Sequence, residues 1–185
     1  MAAPGEGKSR EGRPVTIMTP ILLPERILQV LRIICPILND ARVEWAVSGS
    51  LALALHGLPV VPKDVDLQTD RVGVEQMAHL LGEYLVYPPG LHLGVRLVRS
   101  YLAQFRVQGI VVEAMGHMEF QTPDGRWSPA PSFRFKRAAV DYLGLEIPVV
   151  SLEFLWAFYT QLERPGRVAL IEARLKALGE DGPGR

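Results

Sequence analysis

Residues 48–67, which read SGSLALALHGLPVVPKDVDL, decide the fold of this chain. A small polar turn at residues 48–50 precedes a short apolar run that is typical of a helix. Two acids, Asp64 and Asp66, then accompany residues 65–69, which are rich in strand-forming side chains. The stretch therefore predicts a strand that ends at a tight turn, a short helix and a second strand that carries two carboxylates.

The spacing of the two acids predicts a metal site. Side chains alternate between the two faces of a strand, so Asp64 and Asp66 are expected to point the same way. Two carboxylates this close stay ionised together most easily when a cation lies between them. Mg²⁺ prefers oxygen ligands and often completes its shell with substrate phosphates. The pair thus indicates a divalent cation and a phosphorylated substrate.

The turn before the helix predicts a phosphate-binding cradle. Gly49 has no side chain, so a triphosphate can approach its backbone closely, and the N–H groups at the start of a helix favour an anion. Ser50 adds a hydroxyl donor. Lys63, next to Asp64, is a further candidate for nucleotide binding, although a lysine at the start of a strand is usually solvated.

These residues resemble the motif of the DNA polymerase beta-like nucleotidyltransferase superfamily. The shared features are a Gly-Ser pair at 49–50, thirteen intervening residues and Asp-Val-Asp at 64–66, placed on strand, helix and strand. The small bacterial members look most similar, and these include antibiotic nucleotidyltransferases and the nucleotidyltransferases of toxin-antitoxin pairs. The resemblance is firm over residues 45–67 and weaker as far as residue 151.

The resemblance implies a Mg²⁺-dependent enzyme that transfers a nucleoside monophosphate from an NTP to a hydroxyl group and releases pyrophosphate. Asp64 and Asp66 would bind two Mg²⁺ ions, with Mn²⁺ as a substitute, and Glu113 would be the third catalytic acid and metal ligand. Gly49 and Ser50 would bind the triphosphate. The acceptor would be a small molecule or a protein.

Glu113 is the third acid because it stands alone among the apolar residues of a predicted strand at 110–115. Other interpretations of this residue are open. It could face solvent on an edge strand, or it could pair with Arg106 across a hairpin. Glu119, on the next candidate strand, is the alternative third acid.

The chain departs from its small relatives near the C-terminus. Tyr159 stands where a lysine is expected, and Gly166-Arg167 lies near the place of a Lys-Asp pair. The side chain of Tyr159 is interpreted as packing. The departure leaves a second hypothesis open: a catalytically decayed nucleotidyltransferase fold that acts through a protein partner, as in toxin-antitoxin systems.

Composition disfavours several kinds of partner. Twenty basic residues balance twenty acidic ones, so no net charge attracts nucleic acid or an anionic membrane, although the basic run at 134–137 is a candidate local patch. No apolar run reaches the roughly 20 residues of a membrane span. The single cysteine, Cys35, fits a reducing compartment and reads as a core residue. We therefore expect a cytoplasmic protein, with a homodimer or a toxin-antitoxin partner left open.

The order of the predicted elements indicates an α+β fold, with a mixed sheet of the nucleotidyltransferase type flanked by helices and closed by C-terminal helices. A helix that begins near Pro24 is expected to stop at Pro36. Residues 101–107 and 110–115 alternate as an antiparallel hairpin. The expected divisions are a flexible tail at 1–20, a nucleotidyltransferase core at 21–150, a C-terminal helical segment at 151–180 and a tail at 181–185.

Overall fold

The computed structural model describes residues 22–94, 98–129 and 137–179, and both predicted tails lie outside these ranges. The helices in chain order are α1 (Glu25–Asp40), α2 (Gly49–Leu55), α3 (Arg71–Leu80), α4 (Leu152–Gln161) and α5 (Pro165–Ala177). The strands are β1 (Trp45–Val47), β2 (Val65–Thr69), β3 (Leu85–Leu93), β4 (Val98–Val107), β5 (Ile110–Gln121), β6 (Trp127–Pro129), β7 (Arg137–Tyr142) and β8 (Leu145–Val150). A short 3-10 turn, Gly82–Tyr84, leads into β3.

The strands of the described residues form one mixed sheet in the order β3-β4-β5-β2-β1-β8-β7, with β6 paired to the far part of β5. β2 is parallel to β5 and β1 is parallel to β8, whereas the other neighbours are antiparallel. The α+β fold predicted from the sequence, with a mixed sheet and two C-terminal helices, is confirmed.

Helices cover both faces of this sheet. On one face α3 packs so closely that a Cβ at Gly116 of β5 would lie 2.5 Å from the backbone of Asp70. On the other face α4 packs through Phe158, whose ring contacts Phe120 of β5 edge-on at a centroid distance of 5.9 Å. The N-terminus of α4 is fixed by Ser151, whose Oγ accepts a hydrogen bond of 3.2 Å from the Phe154 N–H, as a serine N-cap should.

The predicted end of the first helix is wrong. Pro36 lies inside α1, which continues to Asp40. Proline costs a helix about 3 kcal/mol in its interior. Here Pro36 lies on the exposed side, while Ile34 and Leu38 on either side of it are fully buried in the core. Burial of that apolar face keeps the helix intact beyond the proline.

Two further features complete the fold. Cys35 is buried on α1, and burial raises the pKa of its thiol to about 12, so its role as a core residue fits the structure. Within the described ranges, no helix combines the length and the apolar character needed to cross a bilayer.

Candidate active site

The turn between β1 and α2 is built around Gly49, whose φ of +60° is in the left-handed region that favours glycine. A Cβ at this position would lie 1.9 Å from Oδ2 of Asp66 and 2.8 Å from its Cγ. The Ser48 N–H donates a hydrogen bond of 2.8 Å to the backbone oxygen of Asp66. The turn therefore holds its backbone directly against the Asp66 carboxylate, and only glycine leaves room for that contact.

Asp66 and Glu113 are neighbours across the sheet. They are register partners in the parallel pair of β2 and β5, and adjacent strands lie about 4.8 Å apart. Their side chains therefore share one face. Glu113 does not pair with Arg106. Its Oε1 accepts a hydrogen bond of 2.8 Å from Nε2 of Gln104, its register partner on β4.

Asp64 lies in a bend directly before β2 and is exposed, whereas Asp66 is partly buried. The pKa of Asp66 is raised to about 7. Burial is the largest cause, and the negative charges of Asp64 and Glu113 also contribute. Asp66 thus experiences the charges of the other two acids that were predicted from the sequence. A cation placed among them would relieve this repulsion.

A cavity of about 360 Å³ opens beside Asp66. The β1–α2 turn and the sheet form one side, and α4 with the α4–α5 turn forms the other. Its lining residues are Ser48, Gly49, Asp66, Met115, Phe158, Tyr159, Leu162, Arg164 and Arg167. The cavity therefore brings Asp66 together with two arginines from the C-terminal part of the chain.

Tyr159 is part of this site as well as of the packing that the sequence predicted. Burial raises the pKa of its phenol to about 12. The positive charge of Arg167 opposes that rise, while the negative charges of Asp66 and Asp64 add to it. The phenol consequently stays protonated at neutral pH. It can donate a hydrogen bond to an anion in the cavity.

Sequence reasoning missed Arg164 as a site residue and noted Arg167 only as a departure from the expected lysine pattern. The signal available in the sequence was Arg164-Pro-Gly-Arg167, which indicates a break between two helices. That pattern locates a turn but does not show where the turn packs. Its position beside the cavity that contains Asp66 follows from the docking of α4 on the sheet through Phe158.

Asp66 and Gly49 are the predicted site residues that line this cavity, and Asp64 and Glu113 are not among its lining residues. Ser50 is partly buried in the first turn of α2, and Lys63 is exposed beside Asp64; neither lines the cavity next to Asp66. Glu119, the alternative third acid, is six positions along β5 from Glu113 and forms an ion pair of 2.6 Å with Arg99. Residues 134–136 of the basic run, and the side chain of Arg137, lie outside the described part of the chain.

The donor set suits a magnesium ion that arrives with its nucleotide. Within the described residues, no three His, Cys, Asp or Glu side chains are arranged to hold a metal ion by themselves. Mg²⁺ commonly takes one or two carboxylates and completes its shell with water and substrate phosphates. Asp64 and Asp66 would meet that smaller requirement, and a cation beside Asp66 would offset the burial and the neighbouring negative charges that raise the pKa of this carboxyl.

Several solved structures are similar to this chain, including the following two. TM1012 from Thermotoga maritima, assigned as a nucleotidyltransferase, is 29% identical, with a TM-score of 0.72 over 84% of this chain and 96% of that protein. An antigenic nucleotidyltransferase-like protein from Paracoccidioides brasiliensis is 15% identical, with a TM-score of 0.51 over 84% and 78% of the two chains, and shares the fold alone. No curated protein sequence matches the chain.

The sequence model of the aminoglycoside-2''-adenylyltransferase family matches residues 30–172. The match spans the β1–α2 turn, the strands that carry Asp66 and Glu113, and both arginines of the α4–α5 turn. The resemblance to small bacterial nucleotidyltransferases is confirmed. Because the matched region is well over half of the chain, this nucleotidyltransferase belongs to the aminoglycoside-2''-adenylyltransferase family.

Proposed function

We propose that this enzyme uses Mg²⁺ to transfer a nucleoside monophosphate from an NTP to a hydroxyl group of an acceptor, with release of pyrophosphate. One observation carries the proposal. The Asp66 carboxylate lies against the Gly49 turn, has a pKa raised to about 7 beside two further acids, and faces a cavity that contains two arginines. An acidic metal site next to a cationic cavity is what a magnesium-bound polyphosphate requires.

In this proposal the acidic residues bind the metal ion and the arginines bind the polyphosphate. Asp64 and Asp66 would hold Mg²⁺, which would supply positive charge to the reacting phosphate. Arg164 and Arg167 bind the polyphosphate from the opposite wall of the cavity. The bare backbone at Gly49 lets the triphosphate approach the sheet.

Three other residues have supporting roles in this proposal. Ser50, in the first turn of α2, and Lys63, beside Asp64, extend the contacts to the triphosphate as the sequence predicted. Tyr159, protonated at neutral pH, donates a hydrogen bond within the cavity. None of these contacts needs a change in the protonation state of the side chain.

The chemical step is an in-line displacement at the α-phosphorus. The acceptor oxygen forms a bond to this phosphorus while the bond from the phosphorus to the bridging oxygen of the β-phosphate breaks. Pyrophosphate leaves with that electron pair. The acceptor's proton passes to the carboxylate of Glu113, which Gln104 holds in place through the hydrogen bond to Oε1.

Membership of a family described as adenylyltransferases favours ATP as the donor. The alternative of a decayed fold was raised by the missing lysines near the C-terminus. Arg164 and Arg167 supply positive charge at the same cavity as Asp66, which supports an active enzyme instead.

The decisive measurement is transfer of label from each of the four NTPs, labelled at the α-phosphate, to a panel of hydroxyl acceptors, with pyrophosphate release measured in parallel. Asp66→Asn keeps the shape of the side chain and removes its charge, so we expect it to lower turnover roughly 10²- to 10³-fold. Asp40→Asn, an exposed acid at the end of α1, is the matched control and should retain full turnover. Equal turnover in the two variants would refute the proposed function.

A further inference from the structure

A row of four polar side chains crosses the sheet from the Gly49 turn to its edge. Asp66 on β2 is the register partner of Glu113 on β5, Glu113 of Gln104 on β4, and Gln104 of Tyr87 on β3. Three steps of about 4.8 Å place Tyr87 roughly 14 Å from Asp66. The row therefore links the acid pair to the edge strand of the sheet.

A second cavity, of about 320 Å³, lies over the edge half of this row. It is bounded by β3 with the neighbouring parts of β4 and β5. Its lining residues are Tyr87, Pro88, Gly90, Leu91, His92, Leu102, Gln104 and Glu113. Asp66 lines the first cavity and Glu113 lines the second, so each cavity reaches one of two acids that are neighbours in this row.

The two cavities differ in charge. The first contains Arg164 and Arg167, which suit a polyphosphate. The second contains no arginine or lysine among its described lining residues, and Glu113 is the one carboxylate among them. In an in-line displacement the attacking and leaving oxygens lie on opposite sides of the phosphorus. If pyrophosphate leaves on the arginine side, the incoming hydroxyl arrives from the Glu113 side.

We propose that the second cavity binds the acceptor, and that this acceptor is a small hydroxyl compound with substantial apolar surface and at most one positive charge. The proposal rests on the nucleotidyltransferase function proposed above. Tyr87 and Leu91 are 60% and 68% exposed and offer apolar area to a ligand. A polycationic acceptor, such as an aminoglycoside, would bring several ammonium groups to a cavity with one carboxylate, and each unpaired charge would lose hydration.

The edge strand itself disfavours a peptide acceptor. A peptide could add to an exposed sheet edge through backbone hydrogen bonds. β3 contains Pro88 and Pro89, and its register with β4 shifts between Leu85 and Tyr87 and again between Tyr87 and Gly90. Prolines and bulges at an edge strand hinder the addition of another strand, because they disrupt the regular row of backbone hydrogen-bonding groups. The cavity volume is at the small end of the range of about 300 to 1,000 Å³ that small-molecule sites occupy.

The test compares binding of phenyl β-D-glucoside, a neutral polyol with an aromatic group, and of tobramycin, a polycation. Dissociation constants are measured on the full chain by ligand-observed NMR, with and without ATP and Mg²⁺. We expect the aryl glucoside to bind more tightly than tobramycin. Leu91→Ala and Tyr87→Ala should weaken its binding about tenfold, and Leu143→Ala, which truncates a leucine that is 72% exposed in the β7–β8 turn, should leave it unchanged.

Tighter binding of tobramycin, the absence of measurable binding of the aryl glucoside, or equal effects of the Leu91 and Leu143 substitutions would overturn this assignment. ATP binding, measured on the same samples by calorimetry, separates the two proposals. The three variants should bind Mg·ATP like the unsubstituted protein. If the unsubstituted protein does not bind Mg·ATP, the nucleotidyltransferase proposal is refuted. If it binds Mg·ATP but binds tobramycin more tightly than the aryl glucoside, only the acceptor assignment is refuted.

Discussion

Gly49 is the residue whose replacement the site tolerates least, because backbone strain and a side-chain clash coincide there. A methyl group would occupy the position of Asp66 Oδ2. We expect Gly49→Ala to displace the carboxylate, to abolish pyrophosphate release and to lower the free energy of unfolding by more than the ~1 kcal/mol that a left-handed alanine costs. Urea denaturation and a pyrophosphate assay measure the two effects.

Gly109→Ala is the matched control for this prediction. Gly109 has a φ of +78° in the β4–β5 hairpin turn, and a Cβ there would meet nothing within 4 Å. The free energy of unfolding of this variant should fall by about 1 kcal/mol because of backbone strain, and its turnover should be unchanged. If both glycine variants retain turnover equally, the Gly49 turn has no part in the site.

At the scale of elements, α4 and α5 matter because Arg164, between them, and Arg167, in the first turn of α5, supply the cations. The turn between the two helices follows from Arg164-Pro165, since proline is favoured in the first turn of a helix and poorly tolerated inside one. We expect Arg167→Ala to raise the KM for the nucleotide about tenfold, because a charge-assisted hydrogen bond to phosphate is lost. Steady-state kinetics at saturating acceptor measure this change.

Arg26→Ala removes the same charge from an exposed position near the start of α1 and should leave the KM unchanged. Arg167→Lys keeps the charge without the planar fork and should restore part of the affinity. A nucleotide KM that is the same in the Arg167→Ala and Arg26→Ala variants would show that the α4–α5 turn does not bind the polyphosphate.

Elements governed by local pattern were predictable from the sequence. Residues 65–69 form β2 as expected, and Gln108-Gly109 turns β4 into β5 with positive φ at both positions. β3 was not predicted, because Pro88 and Pro89 argue against a strand when the partners are unknown. Its place at the edge of the sheet removes the objection, since only one side of an edge strand needs to donate hydrogen bonds.

At the scale of the whole molecule, the site joins segments that are distant in the chain. Asp64 acts on Asp66 through its charge, as two acids one residue apart can, and the alignment of Glu113 with Asp66 fits its position as a lone acid on an apolar strand. Arg164 could not be placed, because its contact with this region depends on how the C-terminal helices pack on the sheet. Local sequence predicts what an element is, and tertiary packing decides which elements meet.

The stability of the whole protein should depend on the charge state of this site. The pKa of Asp66 is raised from 3.8 to about 7 in the folded state. The folded protein therefore holds the proton more tightly than the unfolded chain does. Below about pH 4 this group does not affect the free energy of unfolding. That free energy falls as the pH rises from about 4 to about 7, and above pH 7 the full destabilisation by ionised Asp66 is present.

Asp66→Asn should remove that penalty in metal-free protein. Urea unfolding in EDTA should show the variant to be more stable than the unsubstituted protein by roughly 2 to 3 kcal/mol at pH 8, an amount reduced from the full shift because Asp66 is partly exposed. The difference should shrink as the pH falls toward 4, and Asp40→Asn should show no such trend.

Mg·ATP should stabilise the unsubstituted protein and not the Asp66 variant, because bound ligand adds stability only where it binds the folded state. A difference between the two proteins that stays constant from pH 4 to pH 8 would mean that neither burial nor the neighbouring acids raise the pKa of Asp66, and the electrostatic basis of the metal site would fail with it.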